Sequence, residues 1–150
     1  MKVTAALLAL CALCGANLAD ASRPVTIDRY RGEVLSDNDS TVKFEVRREG
    51  GRPKSGEFVA RNFGIFCDDE LKIVRRFEMS VRFHGRRFFE ADSWEITHAG
   101  GTKFHEVEGR LRSRGHNAEG TILIITQSAV PDVPSCNSDN ARARWKARRV

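Results

Sequence analysis

Apolar and polar residues alternate with a period of two along most of this chain, and a helical period is almost absent. From Thr41 to Arg47, Val42, Phe44 and Val46 share one side and Thr41, Lys43, Glu45 and Arg47 the other, the pattern of a half-buried strand. The turn-forming cluster Asp37 to Ser40 precedes it, so Val25 to Leu35 reads as the first strand of a hairpin. Glu49 to Gly56 reads as a loop from its glycines and Pro53, and Phe58 to Cys67 as a strand with an irregularity at Gly64. Leu71 to Phe83 reads as one strand: Leu71, Ile73, Phe77, Met79, Val81 and Phe83 share a parity that only Arg75 breaks. A bulge or bend is expected at that residue.

The second half repeats the theme. His84 to Arg87 turns the chain into a strand from Phe88 to Thr97, and Ala99 to Thr102 turns it again. Phe104 to Arg112 alternates through Val107, Gly109 and Leu111, and Arg114 to Asn117 forms a hairpin turn into Ala118 to Gln127. Ile122 to Ile125 is apolar on both faces, which places that strand centrally. A Pro-containing loop, Ala129 to Asn140, carries Cys136. The closing strand, Ala141 to Arg149, sets Ala141, Ala143, Trp145 and Ala147 against Arg142, Arg144, Lys146 and Arg148. Three small neighbours leave room for Trp145 to pack inward. About eight short strands separated by turns predict an all-β, antiparallel β-sandwich or small barrel, in a single domain over residues 22–150.

The first 21 residues break the pattern. Met1-Lys2 is a short basic start, Val3 to Ala16 is almost wholly apolar or small, and Ala19-Asp20-Ala21 is the small-x-small motif a signal peptidase reads. A membrane span needs roughly 20 apolar residues, more than this run holds. Residues 1–21 therefore read as a signal peptide cleaved before Ser22, and the protein as exported to the periplasm or beyond. A lipid-acceptor cysteine needs a small residue before it, whereas Leu10 and Leu13 precede Cys11 and Cys14. Of four cysteines only Cys67 and Cys136 remain after cleavage, and an even pair in an exported chain forms a disulfide. Closing a loop of about 70 residues contributes roughly 4 kcal/mol in chain-entropy models.

The chain holds 25 Lys and Arg against 20 Asp and Glu, for a net charge of +5. The leader carries one of each sign, Lys2 and Asp20, so its removal leaves that balance unchanged. The bases are mostly Arg, which suits either flat contacts to phosphate and carboxylate or the codon usage of a GC-rich bacterium.

Val107-Glu108-Gly109, Ala118-Glu119-Gly120-Thr121, Cys136 and Trp145-Lys146-Ala147 together resemble a family of small exported bacterial β-domains. That family has a V-x-G…A-x-G-T hairpin, then a Cys and a closing W-x-A strand, with an earlier Cys where Cys67 stands. The resemblance implies an exported β fold with a Cys67–Cys136 bridge and implies no activity.

Catalytic signatures are absent from the sequence: there is no nucleophile elbow, no H-E-x-x-H, no Gly-rich phosphate loop and no His/Cys pair at metal-ligand spacing. No cofactor and no metal site are expected. Asp68-Asp69-Glu70 reads as a solvated turn and not a Ca²⁺ site, and Asn38-Asp39-Ser40 matches a glycosylation acceptor that matters only in a eukaryotic secretory path. His84, His98, His105 and His116 read as surface residues near turns. The one surface signal is basic: Arg142, Arg144, Lys146 and Arg148 line one face of the closing strand, a candidate anion-binding row. The competing reading is a solvated face whose arginines pair with Glu106, Glu108 and Glu119. Nucleic acid is a poor fit, because Tyr30, Trp94 and Trp145 do not interleave with the charges as a stacking platform. The expected function is a non-enzymatic binding module for an anionic envelope polymer or a protein. A carrier of a small apolar ligand in a barrel cavity is the alternative.

Overall fold

The computed structural model describes residues 23–35, 39–67, 70–96, 100–127 and 142–150. Strands β1 (Val25–Val34) and β2 (Thr41–Glu49) form the first hairpin, and β3 (Arg52–Arg61) folds back on β2. The chain then makes a separate hairpin of β4 (Phe63–Cys67) and β5 (Glu70–Val74) before β6 (Phe77–His84) pairs with β3. Strands β7 (Arg87–Ile96), β8 (Gly101–Arg112), β9 (Asn117–Gln127) and β10 (Arg142–Arg149) follow as antiparallel neighbours, and β10 pairs with β1. The result is a closed barrel in the order β1-β10-β9-β8-β7-β6-β3-β2. Of the two architectures the alternation allowed, closure is adopted.

Three segments depart from the sequence expectation, each for a local reason. The expected loop from Glu49 to Gly56 shrinks to a turn at Gly50-Gly51, whose φ angles are 56° and 76°, and β3 starts at Arg52. Pro53 is accommodated beside a register shift between Arg47 and Arg48, where its missing N–H disturbs the ladder least. The strand expected from Phe58 to Cys67 is two strands, broken at Asn62 and not at Gly64. Asn62 takes a left-handed φ of 53°, which Asn tolerates better than most residues, and the chain leaves the barrel there. Leu71 to Phe83 likewise divides at Arg75-Arg76, where a bend was expected, but its halves lie in different sheets. Leu71 and Ile73 are each 56% exposed, so they do not continue the buried row of Phe77, Met79, Val81 and Phe83.

Aromatic rings fill the interior: Tyr30, Phe44, Phe58, Phe77, Phe83, Phe88 and Trp145 are all buried. Phe44 touches five of the other rings, and Trp145 packs among them with its ring centroid 4.8 Å from Phe58, 6.0 Å from Phe44 and 6.1 Å from Phe88. Space for it comes from a row of register partners running Phe88, Gly109, Gly120, Trp145 across β7 to β10. A Cβ at Gly109 would lie 2.7 Å from Trp145 Cζ2 and 2.5 Å from Phe88 Cζ. At Gly120 it would lie 1.9 Å from the Glu108 carbonyl oxygen. The indole therefore rests on bare backbone at Gly109, and Gly120 lets the β8 and β9 backbones approach closely beside it. Ile122 and Ile124 point into the core, while Leu123 and Ile125 are half-covered. The wall is continuous on this side and thin on another. Among the described residues, β6 and β7 pair at Phe83–Phe88 and His84–Arg87 alone and then part.

Trp145→Ala is expected to cost about 3–5 kcal/mol, the usual loss for a buried Trp. Gly109→Ala should cost about 1–3 kcal/mol by overpacking the same spot. Urea unfolding measures both, and an unchanged midpoint in either variant would mean the ring does not rest on this wall.

Candidate functional site: the basic mouth of the barrel

At one end of the barrel three connections lie together: the β2–β3 turn, the β6–β7 turn and the short 3-10 segment Ser113–Gly115 between β8 and β9. Between them opens a depression of about 630 Å³. Arg48, Arg52, Lys54, Arg86 and Arg114 line it, over a floor that includes Phe83 and Leu111, and among the described residues no carboxylate does. Arg52, Lys54, Arg86 and Arg114 are exposed and form no ion pair among the described residues. Arg114 sits in strained backbone: it and Ser113 take left-handed φ angles of 55° and 47° before Gly115 at 89°. Consecutive non-glycine residues in this region cost of order 1–3 kcal/mol each, and such strain concentrates where geometry serves a ligand.

Beneath the mouth, a polar layer fixes the turns. Asp28 accepts hydrogen bonds from Arg48 Nε at 2.5 Å and from Arg149 at 3.5 Å. Arg48 also donates to the carbonyl of Gly51 at 3.1 Å, and Tyr30 Oη donates to the carbonyl of Gly115 at 2.6 Å. Burial disfavours the Arg48 charge, but its bonds to Asp28 and Tyr30 together raise its pKa above the ordinary arginine value. Burial raises the Tyr30 pKa, with the Arg48 guanidinium acting against it. Two cations around one carboxylate leave this layer positive, so it adds to the field of the exposed ring above it.

The row proposed from sequence is also outward-facing. Arg142, Arg144, Lys146 and Arg148 are exposed on β10, while Ala143, Trp145 and Ala147 are buried. Two of its members are engaged. Arg142 lies 3.2 Å from Glu106 and 3.6 Å from Glu108, and Lys146 lies 3.0 Å from Glu33. Arg110 and Arg112 share Glu119 at 2.9 and 2.8 Å. Arg144 and Lys146 border a second depression of about 640 Å³ over β7 to β10, lined by both signs of charge, Glu108 and Glu119 included. A mixed lining attracts anions less than the mouth does.

Cys67 is buried at the end of β4, and Cys136, Asn38, His98, Asp68 and Asp69 lie outside the described residues, as does the leader. Among the described residues no group of three His, Cys, Asp or Glu side chains is arranged to hold a metal ion, and no helix is long and apolar enough to cross a membrane. His84 and His116 are exposed, as expected. His105 is not: it shares the inward parity of Val107 and its ring lies 5.1 Å from Phe77. Burial, with help from the Lys103 charge and opposition from Asp92, lowers its pKa to about 4. Compared with family models, curated proteins and solved structures, the chain matches none.

The His105 environment sets a pH dependence. Unfolded, the imidazole titrates near 6.5; folded, it stays neutral to about 4. The unfolded state therefore binds more protons between those values, and stability falls as pH drops through the window. Allowing for the partial exposure of the ring, the loss is about 1–2 kcal/mol. His105→Gln should flatten the decline in melting temperature between pH 6.5 and 4. An equally steep decline in the variant would assign the effect elsewhere.

Proposed function

We propose that the protein is an exported, non-enzymatic module that binds anionic groups of the cell envelope, and that it binds them at the mouth of its barrel. The observation that carries this reading is the ring of Arg52, Lys54, Arg86 and Arg114, exposed around one depression that has no carboxylate in its lining among the described residues. Side chains with hydrated, unpaired charges are available to a ligand without first breaking an ion pair. Guanidinium groups add flat, two-point contacts to phosphate, sulfate or carboxylate. The aromatic filling of the interior supports a surface site over the alternative of an apolar ligand carried inside.

Heparin serves as the test polyanion. Four contacts of this kind give a slope of about −3 for log affinity against log salt, by analogy with single-stranded nucleic acid. Reversing Arg52, Lys54, Arg86 and Arg114 to Glu should abolish retention. Arg144→Glu with Arg148→Glu, on the closing-strand row, should weaken it only slightly. Equal losses from the two sets would reveal a diffuse field with no site.

Export by cleavage before Ser22 and a Cys67–Cys136 bridge belong to the same proposal. They are supported by the leader pattern, by the pair of cysteines left after cleavage and by the resemblance to exported bacterial β-domains. Intact mass and non-reducing peptide mapping of the secreted product should give a chain starting at Ser22 with the two cysteines linked. A retained leader, or two alkylatable thiols in the native protein, would overturn the corresponding half.

A further inference from the structure

We infer that the anionic partner is presented by a lipid surface, and that the protein docks on it with its mouth and the β1 wall beside it; this rests on the anion-binding reading of the mouth. The outward positions near the start of β1 are apolar: Val25 is 52% exposed and Ile27 54%. They stand at the mouth end, because Val25 is the register partner of Glu49, which leads into the Gly50-Gly51 turn. Further along the same wall, Lys43, Arg31 and Arg148 form a direct cross-strand row on β2, β1 and β10, all three exposed. Like charges directly opposite one another repel, and among the described residues none of the three has an ion-pair partner to offset it.

Two exposed β-branched side chains thus lie between a basic mouth and a basic row. That layout complements a bilayer whose anionic headgroups overlie an apolar interior: the cations meet phosphates while the short apolar side chains enter the boundary. A soluble polyanion would engage the bases and gain nothing from Val25 and Ile27. The rest of the wall keeps this contact superficial. Outward positions carry charges such as Arg29, Glu45 and Arg47, and the apolar face is inside, the reverse of a lipid-embedded barrel.

The experiment is co-sedimentation of the exported chain with vesicles of phosphatidylglycerol and phosphatidylcholine, or of phosphatidylcholine alone, run beside heparin chromatography. The unaltered protein should bind the anionic vesicles and leave the neutral ones. Val25→Thr with Ile27→Thr keeps β-branched residues in the strand, and should lower vesicle affinity about tenfold while heparin elution stays unchanged. The four-base mouth variant should lose both, each base contributing about fivefold on the membrane. If the threonine variant binds vesicles like the parent, or the parent holds heparin and ignores anionic vesicles, the lipid proposal fails and the mouth reading stands. If the mouth variant keeps its heparin retention, the underlying reading fails as well.

Discussion

The packing of Trp145 against the bare backbone of Gly109, which itself lies tight against Gly120, is the contact on which the rest of this barrel depends. A large ring can lie flat along the inside of a narrow barrel only if the wall beside it gives up its side chains, and here the two strands next to β10 do so at partnered positions. Phe44, Phe58 and Phe88 then pack around the indole and bring β2, β3 and β7 into the same cluster. The short motifs around Val107, Ala118 and Trp145 acquire a physical meaning from this arrangement: small, small, large, placed on three adjacent strands so that one row of the core can close.

The same closure makes the molecule two-ended. Antiparallel order gathers three turns at one end, and each places arginine beside a turn glycine: Gly51-Arg52, Gly85-Arg86 and Arg114-Gly115. Arg48, brought to the inner side near a register shift, ties the mouth to Asp28 and the Gly51 carbonyl. A positive layer that is hydrogen-bonded in place underlies a positive ring that is not. The first gives rigidity and the second remains available to solvent or ligand.

Much of the fold was legible because alternation and turn residues are local signals. The all-β class, the hairpins after Asn38 and around Arg114, and the inward facing of Trp145 could be read from spacing alone. Leu71 and Ile73 could not: their parity with Phe77 is correct as arithmetic, but the chain changes sheets between them, and alternation carries no record of which sheet a strand joins. His105 escaped for a related reason, since a polar residue on an inward parity looks like an irregularity until its neighbours are known. The site was legible only in its chemistry. Arginine excess pointed to anions, yet the residues that converge come from turns more than 25 positions apart in sequence, and only topology unites them. The recurrence of Arg next to turn glycines was the available clue.

The short seam between β6 and β7 has a consequence of its own. Beyond Phe83–Phe88 and His84–Arg87 these strands separate, while β7 stays paired with β8 as far as Ile96–Gly101. Among the described side chains, Glu90 and Asp92 on β7 and Lys103 and His105 on β8 share the inward parity along this stretch; Asp92 is exposed and the other three are half-buried. The barrel is thus closed in connectivity, but its β6/β7 seam is held by few ladder pairs among the described residues. Thermal breathing would begin along that seam and spare the Trp145 row, so the molecule can loosen as a sleeve unlaces, from one side, while its fastening on the other holds.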